Sequence, residues 1–147
     1  MITDILVHIP TERPPQPVVD AAVSLAARFG AHLDAIAVGY IPTSTAYVVD
    51  GGAAVAVAAA FDMEQQRAAQ RSAAALAVFE TEARNASISH ASRSIEDLPG
   101  EAASALGAAA RLYDLTVVLQ PDAAQDTYDN RTATEILFQA GDRKSVV

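Results

Sequence analysis

The chain has 147 residues, of which 51 % are hydrophobic, and its formal net charge is -8. This length fits one domain with a substantial core, and the absence of cysteine excludes disulfides and thiolate metal sites. Because the chain is acidic, has no basic stripe, and shows neither a signal-peptide start nor a long apolar run, we expect a cytoplasmic protein that binds neither nucleic acid nor membrane.

The first half of the chain predicts two strands, each followed by a helix. Pro10 ends the first strand, and Pro17 suits the first position of the following helix. Gly30 suits the left-handed end of that helix. The predicted elements are a strand over 5–9, a helix over 17–29 ending at Gly30, a strand over 33–38, and a long helix from residue 54 or 61 to residue 83. The buried stripe of that long helix is predicted at Ala69, Ala73, Leu76 and Phe79.

The second half continues the alternation of strands and helices. A weak strand is predicted over 84–93, and Pro99 opens the next helix. The run over 115–119 is apolar without interruption, which is typical of a central strand covered on both faces, and Pro121 ends it. Thr132 and Glu135 have the spacing of a capping box and predict a short helix that ends at Gly141. A last strand is expected to begin at Val146-Val147.

Strands that alternate with helices imply right-handed crossovers and a mainly parallel sheet, which is a doubly wound α/β fold. In such sheets, ligands bind beyond the carboxyl ends of the central strands. The segment after the fourth strand, 123–130, is polar and has no glycine. The question of function therefore becomes what this loop can bind.

Several short sequence segments resemble the corresponding segments of the universal stress protein family. They are Ile5-Leu6-Val7 at the start, "AARFGAHLDAIAV" over 26–38, "AARLYDLTVVLQPD" over 109–122, and "EILFQAG" over 135–141. The resemblance implies one domain over 1–147 with a five-stranded sheet in the order 3-2-1-4-5. It also implies a Rossmann-like three-layer sandwich of the adenine-nucleotide-binding kind, and a role in stress response.

Members of this family that bind ATP carry an acidic residue just after the first strand and a glycine motif after the fourth. Pro10 stands at the aligned acidic position here, with Glu12 two residues later, and no glycine occurs from Gln120 to Ala140. Glycines allow backbone N–H groups to approach phosphates closely, so their loss weakens phosphate binding. The chain resembles the degenerate amino-terminal half of two-domain members, and its end at Val147 is interpreted as a truncated last strand.

We therefore expect no ATP, no other cofactor and no enzymatic activity, because no catalytic constellation is present. The leading hypothesis is a domain that acts through protein association. The alternatives are a nucleotide-binding or weakly ATP-hydrolysing domain with an altered phosphate loop, and a binder of another small molecule in the same crevice. The residues predicted to border that crevice are Ile9, Pro10, Thr11, Val38, Gln120, Pro121 and Asp122.

Three further features have a structural and a functional interpretation. His8 is interpreted as a buried structural histidine, and Asp122, Asp126 and Asp129 as a solvated acidic loop without metal-ligand spacing. The apolar segment 53–60 is interpreted either as the buried first turns of the long helix or as a contact surface. We expect a homodimer, or pairing with a second stress-protein domain, through the predicted interface residues Val55, Val57, Phe61, Val146 and Val147.

Overall fold

The computed structural model describes residues 1–43, 54–139 and 144–146. Strands and helices alternate along the chain. The elements are β1 (Asp4–Ile9), α1 (Gln16–Phe29), β2 (His32–Tyr40), α2 (Ala54–Asn85), β3 (His90–Asp97), α3 (Pro99–Ala110), β4 (Leu115–Val118), α4 (Tyr128–Gln139) and β5 (Lys144–Val146). Gly30 ends α1 with φ +62°, the left-handed conformation that the sequence predicted there.

The strands form one parallel sheet. Four strands lie in the order β3-β2-β1-β4, and the three-residue β5 pairs with β4 at the sheet edge. β1 is central, with Val7 opposite Ala35 of β2 on one side and Val117 of β4 on the other. The predicted doubly wound α/β fold and the order of the four longer strands are confirmed.

Two hydrophobic cores cover the two faces of this sheet, because side chains alternate along each strand. Ile5, Val7 and Ile9 point to the face covered by α1 and α2. Leu6 points to the opposite face, where it packs in a core with residues of α3 and α4. The His8 side chain also points to this second face. It is 1 % exposed, which confirms its interpretation as a buried residue.

The boundary between α2 and β3 differs from the prediction of a strand over 84–93. α2 continues to Asn85, Ser87 adopts a left-handed φ of 53°, and β3 begins only at His90. The error has a physical reason: β3 is an edge strand whose residues are exposed or half-buried, so it lacks an apolar pattern. The predicted stripe of α2 is half correct, since Leu76 and Phe79 are buried but Ala69 and Ala73 are exposed.

The amino-terminal part of α2 is largely exposed. From residue 55 onward, Ala68 is the first buried residue, and it packs against Gly39 near the end of β2. Between residues 55 and 67 only Val57 and Glu64 are half-buried, and the rest are exposed. The interpretation of 53–60 as buried first turns is therefore wrong for the residues that the structure describes there. Among the described residues, no helix is both long and apolar enough to cross a membrane.

Candidate functional site

At the carboxyl edge of the sheet, the loop after β1 is bound to the start of α4 by two carboxylates. Asp129 Oδ2 accepts hydrogen bonds from the backbone N–H groups of Thr11 and Glu12, at 3.0 and 2.8 Å. In return, Glu12 Oε2 accepts one from the backbone N–H of Asp129 at 3.0 Å. We call this reciprocal arrangement of Glu12 and Asp129 the carboxylate clamp. It uses the backbone N–H groups of Thr11, Glu12 and Asp129 as hydrogen-bond donors.

A second set of hydrogen bonds joins the same loop to the segment after β4. Arg13 Nη1 donates to the carbonyl oxygen of Gln120 at 2.8 Å and to Asn130 Oδ1 at 3.1 Å. Asn130 Oδ1 also accepts from the N–H of Asp122, and its Nδ2 donates to the carbonyl oxygens of Asp122 and Gln125. The two loops are thus held together by side chains where a phosphate-binding loop would present open backbone amides.

The clamp lies against buried polar groups. Asp129 is 3 % exposed, and burial raises the pKa of its carboxyl, although the Glu12 and Thr11 amides and the nearby positive charge of Arg13 oppose this shift. Its Oδ1 lies 3.7 Å from His8 Nε2, and neither atom has a hydrogen-bond partner among the described residues. Burial also lowers the pKa of His8 to about 4. His8 is therefore neutral at pH 7, and the two residues do not form an ion pair there.

The residues predicted to border the crevice differ in their burial and in their hydrogen bonds. Ile9, Pro10 and Val38 are buried, so their side chains do not present an open surface. Thr11 is half-buried, and its hydroxyl donates to the carbonyl oxygen of Val38 at 2.6 Å. Gln120, Pro121 and Asp122 lie in the segment after β4, where the Gln120 carbonyl and the Asp122 amide take part in the links to Arg13 and Asn130. Their role in binding stays a prediction.

Two interpretations of the segment after β4 are wrong. Asp129 is not part of a solvated acidic loop, whereas Asp126 is 86 % exposed, as expected. Thr132 does not cap a helix, because α4 already begins at Tyr128, and its Oγ1 instead accepts a hydrogen bond from the Tyr40 hydroxyl at 2.7 Å. The spacing between Asp129 and Thr132 could have indicated that both are buried. Residues three apart on a helix lie on one face, and this face of α4 is the buried one.

A cleft remains open beside the clamp, on the β2 side. Its volume is about 290 Å³. Tyr40 and Tyr128, whose ring centroids are 5.4 Å apart, form an aromatic wall. Residues from the β1 loop, the end of β2, α2 and the start of α4 line the cleft: Thr11, Glu12, Tyr40, Pro42, Glu64, Arg71 and Tyr128. We call it the tyrosine cleft. Of the predicted binding residues, Thr11 is the one that lines it.

No three histidine, aspartate or glutamate side chains are grouped as a metal site anywhere in ranges 1–43, 54–139 and 144–146. Chemically, this edge of the sheet thus offers two loops joined by hydrogen bonds and an adjacent cleft with aromatic and charged walls.

Several solved structures that are similar to this one are universal stress proteins. One from Burkholderia pseudomallei is 22 % identical with a TM-score of 0.59, and the match covers 99 % of this chain and 96 % of that one. UspA from Lactobacillus plantarum is 17 % identical with a TM-score of 0.67, and the match covers 99 % and 97 %. A universal stress protein in complex with cAMP is 17 % identical with a TM-score of 0.52, and the match covers 99 % and 96 %.

No protein-family model matches the chain, and no curated protein matches it either. The likeness to the solved structures concerns the whole chain and its strand order. The chain has the fold of the universal stress proteins, which confirms at the level of fold the resemblance seen in the sequence.

Proposed function

We propose that this chain is a cytoplasmic stress-response domain that acts through protein association and neither binds nor hydrolyses ATP. The observation that carries the proposal is the carboxylate clamp. Glu12 places an anionic oxygen on a backbone N–H at the start of α4, and helix N-termini are the positions at which proteins bind phosphate. The chain thus supplies its own anion to this position.

The clamp disfavours a triphosphate for two reasons. A phosphate oxygen would have to displace Glu12 from the Asp129 amide, or Asp129 from the Thr11 and Glu12 amides, before it could use those donors. It would also lie close to two carboxylates, and like charges at a few ångströms repel strongly outside bulk water. Because no glycine follows β4 before residue 141, alternative backbone donors for close phosphate approach are few.

Calorimetric titration with ATP and magnesium tests this part of the proposal. We expect no saturable heat at nucleotide concentrations up to about 1 mM, which corresponds to a binding free energy weaker than about -4 kcal/mol. A dissociation constant in the micromolar range would contradict the proposal. It would favour the alternative of nucleotide binding through an altered loop. Titration with cAMP, the ligand of one structural neighbour, should accompany it.

The surface that we propose for association is the amino-terminal part of α2. Val55 is 85 % exposed, Met63 is 53 % exposed and Phe61 is 37 % exposed. Contiguous apolar side chains on a protein surface are commonly buried by a partner. We take the partner to be a second copy of this chain. β5 offers only three residues of sheet edge, and Val147 lies outside the described residues, so the Val146-Val147 edge is the secondary candidate.

Light scattering coupled to gel filtration tests the association. The intact chain should be a dimer at high micromolar concentration, and a Val55→Asp, Val57→Asp double variant should be a monomer. A Leu112→Asp, Phe138→Asp double variant is the matched control, because these side chains are 84 % and 82 % exposed but lie outside α2. An intact chain that is monomeric would contradict the dimer, and equal loss in both variants would contradict the assignment to α2.

A further inference from the structure

A series of hydrogen-bonded side chains lies at the amino-terminal edge of the sheet, away from the carboxylate clamp. Ser89 Oγ is 2.7 Å from His32 Nδ1, and His32 Nε2 is 3.0 Å from Asp34 Oδ1. The Tyr113 hydroxyl donates to Asp34 Oδ2 at 2.7 Å. A hydroxyl, an imidazole and a carboxylate in this order are the groups that serve elsewhere as a nucleophile, its general base and the residue that orients the base.

The sheet holds the serine and the histidine next to each other. His32 is the first residue of β2, and its N–H donates to the carbonyl oxygen of Thr3 at 2.8 Å. Ser89 directly precedes β3, and its carbonyl oxygen accepts from the N–H of Leu33 at 3.0 Å. Both backbones are thus fixed by the parallel sheet, which positions side chains more precisely than a surface loop does.

The carboxylate determines which nitrogen of the neutral imidazole carries the proton. An ionised carboxylate has no hydrogen to donate, so its hydrogen bond with His32 Nε2 requires the proton on Nε2. Nδ1 then presents its lone pair to Ser89, and the serine hydroxyl is the donor. The two nitrogens have exchanged the roles that they have in serine proteases, but either ring nitrogen can accept a proton.

The second oxygen of Asp34 is engaged as well, which fixes the orientation of the carboxylate. Burial, together with the hydrogen bond to Asp34, raises the pKa of Tyr113 to about 12, so the tyrosine hydroxyl keeps its proton and remains a donor. Asp34 is 28 % exposed and His32 is 33 % exposed, whereas Ser89 is an exposed residue. The base and its partner are therefore partly shielded from water, and the nucleophile is accessible to a substrate.

A small recess lies beside these side chains. Its volume is about 110 Å³, and residues of β2, β3 and the segment before β4 line it: Asp34, Ala35, Ala91, Ser92, Arg93 and Tyr113. Asp34 and Tyr113 belong both to the recess and to the hydrogen-bonded series, and Ala91 follows Ser89 by two residues. Pockets for drug-sized ligands occupy about 300–1,000 Å³, so this recess suits a group of only a few carbon atoms.

We propose that Ser89 is an activated nucleophile that accepts a short acyl group from an ester, with His32 as general base and Asp34 as a positioning residue. Ser89 Oγ forms a bond to the acyl carbonyl carbon while its proton moves to His32 Nδ1. The bond to the leaving oxygen breaks, and the alcohol departs with the proton from His32. Water then attacks the acyl group in the same way, which releases the acid and restores Ser89. This activity goes beyond the proposed function and departs from the expectation of no enzymatic activity.

The test uses 4-nitrophenyl acetate and the intact chain. Absorbance measures the release of nitrophenolate, and peptide mass spectrometry identifies the acetylated residue, which we expect to be Ser89. Ser89→Ala and His32→Gln should each lower the rate at least about tenfold, because general-base catalysis contributes about 100-fold or more. Circular dichroism confirms that the variants fold.

Ser87→Ala is the matched control for the serine. Ser87 is also exposed and lies in the same turn between α2 and β3, but within the described part of the chain it has no hydrogen bond to an imidazole. This variant should react at the rate of the intact chain. An equal loss in Ser87→Ala and Ser89→Ala would overturn the inference, because the rate would then not depend on the imidazole contact.

Asp34→Asn tests the positioning role through the imidazole itself. The nitrogen-15 chemical shifts of the His32 ring distinguish its two neutral tautomers in NMR spectra. We expect the proton on Nε2 in the intact chain, and a mixture of tautomers together with slower acetylation in Asp34→Asn. A proton on Nδ1 in the intact chain would contradict the inference, since Ser89 would then face a donor.

Two results of the acetylation assay would also overturn the inference. One is an unmodified Ser89 after the reagent has been consumed. The other is an equal rate in Ser89→Ala and the intact chain, because a histidine would then react with the ester alone. Neither result depends on whether the chain binds ATP or forms a dimer, so the proposed function is tested separately.

Discussion

Replacing Asp129 with alanine tests the carboxylate clamp most sharply. The variant removes the acceptor of two backbone hydrogen bonds, those from the N–H groups of Thr11 and Glu12. Because Asp129 is 3 % exposed, water can replace the lost acceptor only by entering the structure. We therefore expect the free energy of unfolding to decrease in Asp129→Ala.

The magnitude follows from two opposing contributions. A hydrogen bond to a charged group is worth about 1.5–3 kcal/mol, so the two bonds set an upper value near 6 kcal/mol. Burial of the carboxylate opposes this, as its raised pKa shows, and reduces the net loss. We expect a loss of about 2–4 kcal/mol for Asp129→Ala. Asp129→Asn keeps an oxygen acceptor without a buried charge and should stay within about 1 kcal/mol of the wild type.

The pH dependence gives an independent check on the same residue. The pKa of Asp129 is raised above its ordinary value of 3.8, so its contribution to stability is fully present below pH 3.8 and is lost as pH rises through the folded-state pKa. Asp129→Asn has no such group, and its stability relative to the wild type should therefore increase over that window as pH rises.

Urea denaturation followed by circular dichroism measures these changes. Asp126→Ala is the matched control, because Asp126 belongs to the same segment but is 86 % exposed, and it should change stability by less than about 0.5 kcal/mol. A loss below about 0.5 kcal/mol in Asp129→Ala would show that the clamp does not hold the two loops together.

Three other changes have defined outcomes in the same urea assay. Val117 is 0 % exposed in β4, so Val117→Ala should cost about 1–4 kcal/mol, and a loss below half a kcal/mol would contradict its central position. A Cβ on Gly39 would clash with the Ala68 carbonyl oxygen, so Gly39→Ala should cost about 1–3 kcal/mol. Gly100→Ala is its control, since nothing lies within 4 Å there, and equal losses would refute the close contact of α2 with β2. Burial lowers the pKa of His8 from 6.5 to about 4, so the wild type should lose stability as pH falls through this range. The His8→Gln variant should lose less stability over the same range. An equal loss in both proteins would mean that His8 is accessible to protons.

The fold could be predicted because its signals are local. The apolar run that ends at Pro121 identifies a buried central strand, and Gly30 identifies a helix end with left-handed geometry. β3 was misplaced because an exposed edge strand needs no apolar pattern, while Glu82 to Arg84 favour continuation of α2. The sequence pattern therefore predicts the position of a buried strand well and that of an exposed edge strand poorly.

The site was less predictable because its contacts join residues far apart in the chain. The sequence correctly indicated that the glycine motif is missing, but not what replaces it. Glu12 and Asp129 are 117 residues apart, and nothing local shows that each binds the other's backbone. Similarly, the polarity of Asp129 suggested solvent exposure, whereas the hydrogen bonds from the Thr11 and Glu12 amides make its burial tolerable.

The most direct measurement of the central claim is an NMR titration of the intact chain with magnesium-ATP, followed at the backbone amides of Thr11, Glu12 and Asp129. These three N–H groups donate to the clamp carboxylates, so a bound phosphate could not use them without changing their chemical shifts. We predict no saturable shift of these amides up to several millimolar ATP. Saturable shifts of all three at micromolar ATP would contradict the account, because the clamp would then open readily for nucleotide.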